Sequence, residues 1–242
     1  MALFKSQLVT QASGSVGGTT YAHTSSGLYM RARSIPVNPN SPYQLQVRAS
    51  LTELVTRWSE TLTPTQRAVW DLYALNVLVP NALGDPFNLS GQNWYIGNST
   101  PRYQSNTKLS TGLGVIDNGP AIFDRGTFET PVAGYDAVTG FSMIFETTDA
   151  WNNEVGGAMF IYQGRPANAA RNFFKGPWRL IGTIVGDDAV PPVSPFTVSL
   201  VNLIARGYPI AANNHVWTAV SVGRADGRLS TRRIVGPTLV TP

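Results

Sequence analysis

Arg31–Trp70, RARSIPVNPNSPYQLQVRASLTELVTRWSETLTPTQRAVW, contains two helix starts of the same kind. Ser41-Pro42-Tyr43-Gln44 and Thr63-Pro64-Thr65-Gln66 each place a hydroxyl residue at the N-cap, a proline at the first helical position and a glutamine at the third. The hydroxyl accepts the third residue's N–H, the glutamine reaches back to the cap's N–H, and the proline sits where no N–H is needed. After the first box, Val47, Leu51, Leu54, Val55, Trp58 and Leu62 fill one stripe of a 3.6-residue period, which predicts a helix over 42–61. After the second, Val69, Trp70, Leu72 and Tyr73 predict a helix over 64–76, so the pair reads as a helical hairpin with Trp58 and Trp70 in its core. A third, weaker helix is expected over 90–105, with Gly97 and Pro101 obscuring its extent.

Upstream, residues 1–40 are rich in Gly, Ser, Thr and Asn and show no helical apolar period. Residues 1–52 carry Lys5, Arg31, Arg33 and Arg48 and no Asp or Glu, an excess equal to the net charge of +4 for the whole chain. Two interpretations stand for this segment. Its low apolar content favours disorder, whereas the prolines of Ile35-Pro36-Val37-Asn38-Pro39 stiffen it into an extended arm that becomes ordered on a neighbour.

Downstream, 106–128 has the composition of a linker, and from about Glu129 the apolar period changes to two. Phe141, Met143 and Phe145 alternate with Ser142, Ile144 and Glu146; Met159 and Ile161, Trp178 to Val185, Phe196 to Leu200 and Val216 to Val222 add further strands. Asp226-Gly227 predicts a type I′ hairpin leading into a last strand over 229–235. The fold class expected is therefore α+β and multidomain: an extended basic arm (1–40), a helical hairpin with a possible third helix (41–105), a linker (106–128) and a C-terminal antiparallel β-sandwich of fibronectin-III or immunoglobulin type (129–242). A barrel or an irregular sheet is the alternative to the sandwich.

Composition narrows the chemistry. Only 13% of the 242 residues are charged, about half the usual share, so the surface is built from neutral polar groups. There is no cysteine, which removes disulfides, thiolate metal sites and cysteine nucleophiles. The two histidines, His23 and His215, stand alone, and no HExxH, EF-hand or phosphate-loop pattern occurs; Gly14-Ser15-Val16-Gly17-Gly18 lacks the lysine that a phosphate loop requires. Asp187-Asp188 lies in a turn-rich stretch. No catalytic, cofactor or metal residue is assigned, and the expectation is a non-enzymatic protein without a cofactor. No window approaches the length of a membrane span, and no signal-peptide core is present.

Fifteen of the 18 basic residues are arginine, whose planar fork suits carboxylates on a protein partner. The basic residues are too sparse, and too little interleaved with aromatics, for nucleic acid to be the expected partner. Candidate partner-binding residues are Lys5, Tyr21, Tyr29, Arg31, Arg33, Pro36, Pro39 and Arg48.

The N-terminal hundred residues resemble a group of tailed-bacteriophage structural proteins. The resemblance rests on the glycine-rich Ser13–Gly18, the Arg-x-Arg-x-x-Pro-Val-Asn-Pro element at Arg31–Pro39, the helix carrying Trp58, and the Leu-Thr-x-x-Gln-Arg-x-x-Trp element at Leu62–Trp70, in that order. It implies a virion or phage-assembly role without fixing the component; the expectation is a virion protein made in the host cytoplasm, a capsid decoration or cement protein with the major capsid protein or other virion proteins as partners, and a homo-oligomer within the particle. Alternatives are a head–tail connector or tail component, and an adsorption module that stacks carbohydrate on Tyr162, Trp178 or Tyr208.

Overall fold

The computed structural model describes residues 2–3, 13–24, 27–35, 37–80 and 85–242. The chain divides into two compact units, residues 1–45 and 46–242.

In the first unit, β1 (Ala2–Leu3), β2 (Gly14–Val16), β3 (Thr19–Thr24) and β4 (Gly27–Ala32) form an antiparallel sheet in the order β1-β4-β3-β2. Gly17, with φ +56°, makes the turn between β2 and β3, so the glycines of the Gly14–Gly18 run serve a hairpin. Within the stretch expected as an extended arm, β2, β3 and β4 thus pair with one another. The sequence hides this because β3 and β4 carry Thr, Ala, Gly and Arg where a buried sheet face would carry Val, Ile or Phe. Among the described side chains of the unit none is buried.

α1 (Pro42–Thr56) opens with the first predicted box: Ser41 Oγ accepts from Gln44 N at 3.4 Å, and Ser41 N donates to Gln44 Oε1 at 3.2 Å. The helix then widens into a π-turn over Arg57–Thr61, where Leu62 N donates to Arg57 O. α2 (Pro64–Asn76) begins with the complete capping box at Thr63 and Gln66. β5 (Val79–Pro80) and β6 (Pro86–Phe87) form a two-stranded ladder before α3 (Gly91–Leu109), which is capped by Ser90. α3 runs through Pro101. Gly97, four residues earlier, is where the proline ring would crowd a carbonyl, and no other atom lies within 4 Å of the position its Cβ would take.

The expected hairpin of the first two helices is replaced by a different packing. α2 and α3 are the closely packed pair, and Gly91 permits it, since a Cβ there would lie 2.3 Å from the Asp71 carboxylate. Tyr95 of α3 sits between Trp58 and Trp70, with ring centroids at 5.5 and 5.6 Å, and Tyr73 meets Trp94 edge-on at 5.3 Å. On α1, Leu54 is fully buried, whereas Val47, Leu51 and Val55 of the predicted stripe remain exposed.

The remaining elements are β7 (Val132–Asp136), β8 (Gly140–Ile144), β9 (Ala158–Gly164), β10 (Ala167–Asn168), β11 (Trp178–Val185), β12 (Phe196–Ser199), α4 (Leu200–Arg206), β13 (Asn214–Gly223) and β14 (Arg233–Thr241). They form one continuous sheet in the order β11-β9-β13-β14-β7-β8-β12, with β10 also on β13. All pairings are antiparallel except β14 with β7. β14 joins the two halves. Its first part pairs with β13, the ladder shifts around Gly236 (φ +106°), and Val240 and Thr241 pair with β7. The ends of the strand order meet: a Cβ on Gly182 of β11 would lie 2.8 Å from the Phe196 ring of β12. The fold is thus a mixed α+β arrangement of helices with a large, nearly closed, barrel-like sheet.

Met143, Met159, Ile161, Ile181, Val216 and Val220 lie in the barrel's core, while Phe160, Leu180 and Ala219 join Leu113 in a second cluster on the other side of β9. β9 is therefore buried along its whole length. The 106–128 stretch, expected as a linker, completes α3 and then packs on the helices: Trp70 Nε1 donates to Asp117 O at 2.9 Å and Tyr73 OH to Asp124 O at 2.7 Å. At the 224–228 hairpin only Gly227 (φ +94°), and not Asp226, is left-handed, and Gly227 N bonds to Arg224 O. The turn therefore differs from the expected type I′. The stretch expected as a strand through Leu200 ends at Ser199 and turns into α4.

Candidate interaction surface

Side chains alternate across a strand, so the register of the small sheet assigns its faces. Tyr29 lies opposite Ala22 and Arg31 opposite Thr20, which puts Tyr29, Arg31, Ala22, Thr20 and Ser15 on one face. Tyr21, opposite Met30, lies on the other with Val16, which is 75% exposed. Ser15 and Thr20 join their hydroxyls at 2.8 Å on the Arg31 face. Arg33 continues β4, its N–H bonded to Gly18 O at 2.8 Å, and its side chain and that of Arg31 are exposed. No acidic residue precedes Glu53, so the first unit offers these guanidiniums no carboxylate. Pro39 is exposed, and Arg48 stands on the part of α1 that belongs to the second unit. Lys5 and Pro36 lie outside the described residues. The structure therefore brings Tyr29, Arg31 and Arg33 together on one strand and its continuation, places Tyr21 on the reverse face, and groups Arg48 with a different unit.

The charged groups of the second unit mostly tie helices to sheet. Arg224 pairs with Glu154, and Arg228 with both Asp124 and Asp226. Arg57 holds Asp117 through two hydrogen bonds, which keeps that carboxyl below the usual carboxylate range. Lys108 donates to Leu180 O and Arg206 O at 2.8 and 2.9 Å, and burial, with Arg179 and Arg206 nearby, pushes its amine down to about 8. Asp187 accepts from the amides of Ala189 and Val190, the turn role that its sequence context implies. Among the described residues no group of three or more His, Cys, Asp or Glu is placed to hold a metal ion, and no helix is long and apolar enough to cross a membrane.

Two concavities stand out. A cleft of about 540 Å³ on the outside of the β14-β7-β8-β12 face is floored by Gly134 and Gly140 and rimmed by Ser142, Thr197 and Asp136. Asp136 is held down to about 2 by the amides of Thr139 and Val138. A groove of about 380 Å³ lies where Leu113–Ile116 passes Val155 and Val185, with Arg102 in its wall. Sequence reasoning missed Arg102, although it shares the stripe of Trp94, Tyr95, Asn98 and Ser105, all buried on α3.

The three rings considered as carbohydrate platforms are occupied by the protein itself. Tyr162 is 6% exposed beneath Arg232, Tyr208 carries the Arg179 guanidinium at 4.0 Å, and Trp178 meets the Phe174 ring edge-on at 4.9 Å. No protein-family model, curated protein or solved structure matches the chain.

Proposed function

We propose that the chain is a non-enzymatic structural protein of a tailed-phage virion, a capsid decoration or cement protein that binds the lattice through its N-terminal unit. The observation that carries this reading is the small sheet in which no described side chain is buried. Such a sheet gains too little from apolar burial to offset the ordering of its backbone, about 1–2 kcal/mol per residue, and needs a surface to pack on. Tyr29, Arg31 and Arg33 supply what that surface would meet: one amphipathic ring and two forks suited to carboxylates. The resemblance of residues 13–70 to phage structural proteins names the setting, with the major capsid protein as partner and neighbouring copies of the chain as secondary contacts.

Copy number tests the reading. Gel densitometry of purified particles should give a number that scales with the capsid lattice. A number matching a single ring at the neck would replace the decoration role with that of a head–tail connector, and absence from particles would remove the virion role altogether.

A further inference from the structure

We infer that the groove between Leu113–Ile116 and Val155–Val185 is a carboxylate-binding site with Arg102 as its cationic donor. The inference is independent of the virion reading. Arg102 is 3% exposed, yet it has no direct ion pair among the described residues. Both of its hydrogen bonds run from Nη2, to Gly156 O and Arg224 O at 2.6 Å each. Nε and Nη1 have no acceptor among the described residues. The carboxylates whose charge acts on it, Glu154 and Asp226, are already engaged by Arg224 and Arg228. Burial, only partly offset by the charges of Glu154 and Asp226, pushes the guanidinium's basicity down to about 10. A buried cation is ordinarily paired, because its lost hydration is otherwise uncompensated.

The groove in front of Arg102 is large enough for a small ligand or a single side chain. Ile116, Val155 and Val185 supply apolar wall, and Asp187, the one acid at the rim, is turned toward its own Ala189 and Val190 amides. The main chain beside it is available too. Leu113, Gly114, Val115 and Ile116 form no hydrogen bond among the described residues, and a second groove of about 300 Å³ flanks Leu113–Val115 on the α3 side. A carboxylate on a short alkyl stem would place its oxygens on the free guanidinium donors and its stem between the valines. Exposed amides on Gly114 and its neighbours would add main-chain hydrogen bonds if the carboxylate belongs to a polypeptide.

The test is a titration of the full chain at constant ionic strength, followed by the amide signals of residues 113–116 and the Arg102 side-chain N–H. The probes are butyrate, chloride, and a short extended peptide ending in Glu. Butyrate should produce saturable shifts confined to these signals, and chloride should not. A peptide that binds at least tenfold more tightly than butyrate would assign the site to a polypeptide carboxylate, and equal affinity to a free small acid. Gly114→Phe adds a bulky ring to the groove's lining at a position where the Cβ meets nothing within 4 Å and the backbone is not left-handed. It should weaken binding at least tenfold while the fold is retained, and Arg102→Met should abolish binding. Unsaturable shifts, equal shifts with chloride, or unchanged binding in Gly114→Phe would overturn the assignment; the last holds even if Arg102→Met fails to fold.

Discussion

Arg57 and Asp117, sixty residues apart, meet through two parallel hydrogen bonds, Nε to Oδ1 at 2.8 Å and Nη2 to Oδ2 at 2.7 Å. The pair fastens the π-turn at the end of α1 to the 110–131 segment, and Tyr95 OH adds a third contact to Oδ1 at 3.1 Å. The side chains are 34% and 23% exposed, so solvent screens part of the attraction. Asp117→Asn should therefore cost about 1 kcal/mol in urea unfolding.

The same contact sets a pH dependence. Because Arg57 holds the Asp117 carboxyl below its ordinary value, the unfolded chain takes up the proton first. The stabilisation is present above about pH 4 and lost as pH falls through the folded value. The wild type should lose stability below pH 4 more steeply than Asp117→Asn. Parallel slopes would show that the contact does not persist in solution.

Three glycines should rank in a fixed order when replaced by alanine. Gly140 has φ +109°, and its added Cβ would lie 2.5 Å from Leu200 N and Val198 O; Gly227 has φ +94° with the Trp70 ring at 3.4 Å; Gly114 has open space. Chemical denaturation should find Gly140→Ala the most damaging, Gly227→Ala costing about 1–2 kcal/mol, and Gly114→Ala near neutral.

Lys108 predicts a second pH window of the same sense, at alkaline pH. Its amine is pushed down to about 8 in the folded chain, against about 10.4 when unfolded. Between these values the unfolded state binds more protons, so stability rises with pH. Thermal melts from pH 8 to 10 should show this rise in the wild type and a flatter profile in Lys108→Met.

Much of the second unit is legible in the sequence because local chemistry decides it. The Thr63–Gln66 box starts α2 where the cap predicts, and the alternation of Phe141 and Met143 marks β8. Met159 and Ile161 mark β9 as expected, but burial on both faces hides from the sequence which side meets the barrel core; in the small N-terminal sheet none of the described side chains is buried, so its strands read as an arm. Gly97 and Pro101 obscure α3 in the sequence, yet the helix runs through both from Gly91 to Leu109. Arg102 is hard to read because a charged residue on a buried stripe resembles a surface residue until the stripe is phased against its neighbours. The faces of Tyr21, Tyr29 and Arg31 depend on strand register, which follows from pairing partners and is not written in the local pattern.

We propose that the N-terminal unit, and not the barrel, holds the protein on the capsid. The most direct test is co-sedimentation of the full chain and of a chain lacking residues 2–40 with capsids stripped of this protein. The second unit keeps its own cores in Leu54–Tyr95 and Phe128–Val240, so the shortened chain should fold with a near-native melting temperature and remain in the supernatant. Retention of the shortened chain on the capsid at wild-type occupancy would contradict the account.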